Sequence, residues 1–350
     1  MLSMVPTAFW RGCLLAPIFA LSSAAYAHQS TAHGSWRSMW TLTPFIVTAT
    51  IFVLWLYARG AAQASTWQRI GFLAGSALLF LALQSPLDAL AGDSFTLHQV
   101  QHQLIHVFAP MLLALSAPAA AFIAGMPHWL RRHAYQPIAS LSPVRRTFGL
   151  LSSPVVAAAH FIAALLFWLV PAVQERALVD GFLHDVMHFS MLLAGLFFYF
   201  CVFDPRSPPQ GSGYGARVFA LLAALFANIP LGAYLSYKEN VLYPAYGAAE
   251  RVGLAPLIDE RVGGLIQYVP GSMMFVIGVL LVLAAWRRRE LRLHGWRARG
   301  VVRRPYGRDA LPAGTLARRN VRLGLTLAAI CTFFFAAAII AGVLAHKANG

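Results

Sequence analysis

The chain has 350 residues, of which 59% are hydrophobic and only 11% are charged. A soluble domain usually carries about a quarter charged residues, so this composition excludes an ordinary soluble protein and indicates a membrane protein. The net charge of +15 does not indicate nucleic-acid binding, because the arginines cluster in short loops between apolar runs.

The first 27 residues have the pattern of a signal peptide. Arg11 precedes a short apolar core, and Ala25-Tyr26-Ala27 fits the small-x-small cleavage pattern. We therefore expect residues 1–27 to be removed; an uncleaved first helix is the alternative. Cleavage would leave His28 at the amino terminus, where an amine and an imidazole can bind copper, although a tail without a ligand is the simpler interpretation.

The apolar runs that follow predict an all-α fold, a polytopic transmembrane helical bundle. Each run has about the length that crosses a bilayer as a helix. Eight spans are expected, at 42–58, 68–84, 99–124, 153–172, 184–203, 217–237, 262–286 and 323–345. We expect a bundle over 28–290, a basic cytoplasmic loop over 291–322 and an extra C-terminal span over 323–350.

Basic residues alternate between the loops and predict the orientation of the bundle. Loops on one side carry most of them: Arg59 and Arg69; Arg131, Arg132, Arg145 and Arg146; Arg206 and Arg217; and the arginine-rich run from Arg287 to Arg322. The positive-inside rule places these loops in the cytoplasm and residue 28 outside, as cleavage of a signal peptide also predicts. The run at 287–322 further suits contact with anionic lipid headgroups.

Five histidines stand where the third and fifth spans enter the membrane from the outer side. His98, His102 and His106 are spaced i, i+4 and i+8 on the third span, and His184 and His188 make the same one-turn step on the fifth. Polar side chains inside a membrane are costly and usually mark a site, and imidazole binds copper, zinc and haem iron. The pattern predicts an outward-facing metal site; hydrogen bonding at the interface is the alternative.

Further residues at similar depth could complete such a site. Candidate additional ligands are His160 in the fourth span, Met191 one turn beyond His188, and Met273 and Met274 in the seventh. Thioether sulfur would favour Cu(I). Asp185 and Asp259 are candidates for carboxylates that orient an imidazole; for Asp259, capping of a helix is the alternative.

Several of these motifs, taken in order, resemble the CtaG-type family of cytochrome c oxidase assembly factors. They are Ser85-Pro86-Leu87-Asp88, His98-xxx-His102, Pro110, Pro118, His184-Asp185-Val186-Met187-His188 and Asp259-xxx-Gly263-Gly264. The resemblance covers about residues 40–290. Two positions depart from it: Phe167-Trp168-Leu169-Val170-Pro171 lacks a histidine that family members often carry, and Gln267 and Tyr268 replace a Met-Trp pair.

The resemblance implies a bacterial inner-membrane protein, not an enzyme, that helps to mature haem-copper oxidase. Its partners would be the catalytic subunit of the oxidase or other oxidase assembly proteins, together with membrane lipid. We therefore expect a metallochaperone that holds Cu(I) on the outer side of the membrane, at these histidines, and passes it to the oxidase. Two alternatives remain. One is electron transfer through a bis-His b-type haem between the third and fifth spans. The other is metal transport across the membrane, which only the position of His160 within the fourth span supports.

Overall fold

The computed structural model describes residues 39–208, 210–246 and 253–298, and within these ranges the regular structure is entirely helical. The predicted signal peptide, His28 and the eighth predicted span lie outside the described residues. The helices are α1 (Pro44–Gly60), α2 (Thr66–Gln84), α3 (Pro86–Ala91), α4 (Phe95–Leu115), α5 (Ala119–Gly125), α6 (128–140), α7 (Ser142–Leu151), α8 (Pro154–Trp168), α9 (Pro171–Val179), α10 (Gly181–Val202), α11 (Tyr214–Tyr237) and α12 (Pro256–Ala298).

The prediction of an all-α membrane protein is confirmed. In the described part, five helices are long and apolar enough to cross a membrane: α1 with the turn that follows it, α2, α10, α11 and α12. Two bent pairs, α4 with α5 and α7 with α8, would raise the number to seven if each pair forms one span. These seven correspond in chain order to the first seven predicted spans.

The third and fourth predicted spans are not straight helices. The helix axis bends by 71° between α4 and α5, at Ala117, whose φ is 45°. Pro118 explains the break, because a proline restricts the preceding residue and cannot donate a backbone hydrogen bond. The axis bends by 73° between α7 and α8, and Pro171 starts the separate helix α9 where the fourth span was expected to continue.

The seventh predicted span is longer than expected. Helix α12 has 43 residues and extends past the expected end at 286 into the predicted basic loop, as far as Ala298. The chain divides into two compact units, Met1–Val279 and Leu280–Gly350. In the second unit the described residues are the last part of α12, where Arg287 and Arg288 are exposed.

Glycines allow the central helices to approach closely. A Cβ atom added to Gly195 of α10 would lie 2.3 Å from the carbonyl oxygen of His106 in α4. Gly263 of α12 lies in the same way against the ring of Phe95, and Gly264 lies against Leu235 of α11. Small residues are the usual means of such close helix packing in membranes.

Replacing Gly195 by alanine should destabilise the bundle. The added methyl group would force α10 away from α4, and overpacking of this kind costs about 1–3 kcal/mol. Gly149 of α7 is a matched control, because an added Cβ there meets nothing within 4 Å. Thermal unfolding in detergent should show a lower midpoint for Gly195→Ala and an unchanged or higher one for Gly149→Ala; equal midpoints would contradict the packing described here.

Candidate metal centre

Asp259 of α12 fixes the start of α4, the helix that carries three of the histidines. Its carboxylate is fully buried and accepts hydrogen bonds from the Ser94 hydroxyl at 2.7 Å, the Phe95 amide at 2.6 Å and the Thr96 amide at 3.1 Å. These amides belong to the first turn of α4, where backbone N–H groups have no partner within the helix. Asp259 thus caps a neighbouring helix instead of its own and sets the position of α4.

Four imidazoles meet between α4 and α10. The ring of His98 lies 4.3 Å from that of His102, 5.6 Å from that of His184 and 6.1 Å from that of His188, measured between centroids. The His102 and His188 rings are 5.6 Å apart. We call these four residues the histidine cluster. The sequence predicted that both histidine pairs enter the membrane from the outer side, and the structure brings the two pairs together.

The histidine cluster is closed to solvent. His98 is 0% exposed, His102 2%, His188 5% and His184 7%. Within each helix the two Nε2 atoms face each other, at 2.8 Å for His98 and His102 and at 3.2 Å for His184 and His188. Charged imidazolium groups so close together and so buried would be costly, so the cluster suits neutral rings or a shared ion.

The geometry of three of these residues is compatible with a bound metal ion. One ligand nitrogen from each of His98, His102 and His188 lies within 4.8 Å of the other two. Zinc binds imidazole nitrogens at about 2.0–2.1 Å, which puts two ligands of one ion roughly 3.3 Å apart. Small side-chain rotations would bring the three nitrogen atoms from their present separation of up to 4.8 Å to this shorter distance. The Nδ1 atom of His98 lies 3.2 Å from the carbonyl oxygen of Ala91, to which it donates, so the lone pair of the ring is on Nε2, the atom that faces His102.

Residues 238–246, the covering segment, close the cluster at the end where α4 begins. The Tyr246 ring meets the His98 ring edge-on at 5.8 Å, and the Tyr243 ring stacks on Phe95 at 4.5 Å. The Tyr246 hydroxyl accepts a hydrogen bond from Gln174 of α9 at 2.8 Å. Burial raises the pKa of both phenols, so these tyrosines are neutral packing and hydrogen-bonding groups.

A buried ion pair holds the covering segment against α12. The Glu260 carboxylate pairs with the Lys238 ammonium group and also accepts the backbone amides of Leu242 and Tyr243, each at 2.9 Å. The Tyr243 hydroxyl donates to the carbonyl oxygen of Leu169 at 2.7 Å. Sequence reasoning did not identify this segment. The available signal was the pair Tyr243 and Tyr246 in a loop that precedes Asp259 and Glu260, because large aromatic residues in a loop favour packing against the bundle.

His106 belongs to the same helix but not to the cluster. Its Nδ1 atom donates to the backbone carbonyl of Met191 at 2.8 Å, and its ring stacks on Phe161 of α8 at 3.9 Å. The backbone around it, Leu104–Phe108, forms a π-helical turn, which shifts the register of the residues that follow. The structure therefore separates His106 from the other four predicted ligands.

The remaining candidates lie apart from the histidine cluster or take other roles. His160 is exposed on α8, and Asp185 is exposed on α10. Met273 is 59% exposed, and Met274 is half-buried on α12. Met191 is buried, and its backbone carbonyl accepts the hydrogen bond from His106.

A chain of buried amides joins α4 to α11 and α12. Gln103 donates to Gln267 at 2.5 Å, and Gln267 donates to Asn228 at 2.7 Å. The sequence marked Gln267 only as a departure from a family pattern. Its position inside an apolar run was the signal that it has polar partners on other helices.

Comparisons with known proteins agree with this architecture. The family of cytochrome c oxidase caa3 assembly factors (Caa3_CtaG) matches residues 48–289. Curated relatives include uncharacterized proteins of Mycobacterium bovis and Mycobacterium tuberculosis, each 22% identical over 281 residues, and one of Mycobacterium leprae, 21% identical over 273 residues. These alignments cover 71–73% of this chain but 40% of each relative, so the chain spans less than half of their length. No solved structure matches the chain.

Removing the Asp259 carboxylate should destabilise the protein. Asp259→Ala leaves buried donors of α4 without an acceptor, and the loss of a cap together with unsatisfied donors costs about 2–4 kcal/mol. Thermal unfolding in detergent would measure this loss. Glu239 is an exposed acidic residue at the same end of the bundle, so Glu239→Ala should change stability by less than about 0.5 kcal/mol. Equal effects of the two substitutions would show that Asp259 does not hold α4 in place.

Proposed function

Since the chain belongs to the family of cytochrome c oxidase caa3 assembly factors, we propose that it handles copper at the histidine cluster and delivers it to the oxidase. Membership in this family supports an oxidase-related partner and a non-catalytic role, and copper handling is the step that we add. Cytochrome c oxidase contains copper in addition to haem, so its assembly requires a supply of that metal. The copper ion would be the cargo of this protein.

The observation that carries this proposal is the meeting of four buried imidazoles from two helices. His98 and His102 come from α4, while His184 and His188 come from α10. Neutral imidazole is a good ligand for copper, and a site with several imidazoles can pass an ion on by exchanging one ligand at a time. The positive-inside pattern predicts that this end of the bundle faces the periplasm, where copper delivery to the oxidase would occur.

The packing of the cluster favours a single ion over a haem. In a bis-His haem a flat porphyrin extends sideways between the two ligand rings. Here the His98 ring is surrounded by the rings of His102, His184, His188 and Tyr246 at 4.3–6.1 Å. A porphyrin beside the His98 ring would have to displace several of these side chains. His160, the residue on which the transport alternative rests, is exposed on α8 and gives that alternative no further support.

Removing one histidine of the cluster from either α4 or α10 should remove most of the copper binding. We expect the purified protein to bind Cu(I) stoichiometrically, and His102→Ala or His188→Ala to lose most of this binding, because each removes a nitrogen from the group of three. Titration with a chromophoric Cu(I) chelator measures the affinity. The matched control is His160→Ala, an exposed histidine in the same bundle, which should bind as the wild type does.

The same preparation separates the alternatives. A strong Soret band in the visible spectrum would overturn the copper proposal in favour of haem. Unchanged copper affinity in both His102→Ala and His188→Ala would move the metal site elsewhere, and the absence of both metal and haem would leave a scaffolding role.

A cellular experiment tests the assembly role itself. Cells that lack this protein should lose cytochrome c oxidase activity, and wild-type protein or His160→Ala should restore it. His102→Ala with His188→Ala should fail to restore activity at low copper, while an excess of copper should partly rescue the cells. Oxidase activity in membranes, measured against copper concentration, gives the result. Full activity without the protein at every copper concentration would contradict the proposal.

A further inference from the structure

The opposite end of the first unit carries a helical hairpin formed by α6 and α7, residues 128–151. One face of the hairpin is fixed to the bundle: Ala139 and Phe148 are buried and pack with Tyr135, Val144 and Phe197. Phe197 belongs to α10, so the hairpin has a defined place in the fold. The charge distribution predicts that this end is cytoplasmic.

The charges of the hairpin and the turn into α8 indicate that the hairpin lies at the membrane surface. Helix α8 has 15 residues, which rise about 22 Å, so it spans most of a hydrocarbon core about 30 Å thick. The four arginines that precede α8 are costly in hydrocarbon and favour the level of the lipid headgroups. The axis turns by 73° between α7 and α8, so α7 runs across the direction of α8, as a helix along the surface would.

The free face of the hairpin combines arginines with large apolar side chains. Trp129 is 65% exposed and Leu150 63%, while Ile138 and Leu141 are each 50% exposed. Arg132, Arg145 and Arg146 are exposed and Arg131 is half-buried. Arg146 and Leu150 are four residues apart on α7 and so share one face. The hairpin sequence contains no aspartate or glutamate.

This combination points to one kind of partner. Apolar side chains at the interface enter the acyl region, while arginines extend to the phosphates and attract their negative charge. Basic clusters beside a membrane attract anionic lipid, by about 1 kcal/mol for each residue. A soluble partner would not explain why large apolar side chains are exposed at headgroup level.

We propose that the α6–α7 hairpin is a binding surface for anionic phospholipid of the inner leaflet. The arginines Arg131, Arg132, Arg145 and Arg146 hold the headgroups, and Trp129 and Leu150 enter the lipid layer. This inference does not depend on the metal site. It assigns a lipid contact to a different segment from the arginine-rich run at 287–322.

The test uses the full chain in lipid nanodiscs that contain a photoreactive phosphatidylglycerol or a photoreactive phosphatidylcholine with the same acyl chains. After irradiation, peptide mass spectrometry locates the cross-links. We expect phosphatidylglycerol to label 128–151 several-fold more than phosphatidylcholine does. Replacing the four arginines by glutamine should remove this preference, and replacing them by lysine should keep most of it, since the attraction follows the charge. Arg176→Gln, an exposed arginine on α9, should leave it unchanged.

Three results would overturn the proposal. Equal labelling by the two lipids would show that the hairpin has no preference for anionic headgroups. A preference that survives the glutamine variant would assign it to other residues. If the lysine variant loses the preference as completely as the glutamine variant does, charge is not the cause. The thermal midpoint of each variant, measured in the same nanodiscs, shows whether the bundle is still folded.

Discussion

The close contact of α4 with α10 is the constraint on which the histidine cluster depends. Gly195 lets the two backbones approach, and the carbonyl oxygen of His106 occupies the place where a larger residue would put its Cβ. Two helices in contact at this distance cannot keep two pairs of imidazoles apart. The rings therefore pack against one another, and helix packing together with the covering segment excludes them from water. The same contact gives His106 its hydrogen bond to the backbone of α10.

Helix α4 is tied to its neighbours by polar contacts on several faces, which is unusual for a helix in an apolar bundle. Asp259 holds its first turn, Gln101 donates to the backbone of α2 and to Asp88 of α3, and Gln103 reaches Gln267 of α12. Hydrocarbon offers no hydrogen bonds, so each polar group is satisfied only when its partner helix is in register. These contacts fix the depth and rotation of α4, and with them the direction in which His98 and His102 point.

The covering segment restricts access to the histidine cluster, and the proposed transfer of metal to a partner requires that access. A cluster that exchanges metal with a partner needs access, yet Tyr246 and its attachment to Gln174 close it. The segment is held by a few identifiable polar contacts around Glu260, and its regular structure in the described part is a single 3-10 turn, Pro244–Tyr246. Such an attachment opens more easily than a helix does, because few bonds must break together. The hairpin at the opposite end is bound to the bundle by apolar packing instead.

The sequence by itself determined the fold class, the order of the first seven apolar segments and the entry of five histidines at one end of two helices, because apolar length and i, i+4 spacing are local properties. It could not determine the bends at Ala117 and before Pro154, since a proline breaks some helices and is tolerated in others, as Pro270 is within α12. Only the tertiary structure decided that four histidines meet while His106 turns away through a π-helical turn, and that Asp259 caps α4. The reason is physical: which side chains share a site depends on how closely the helices pack and how they are rotated, and both are set by contacts between residues far apart in the chain.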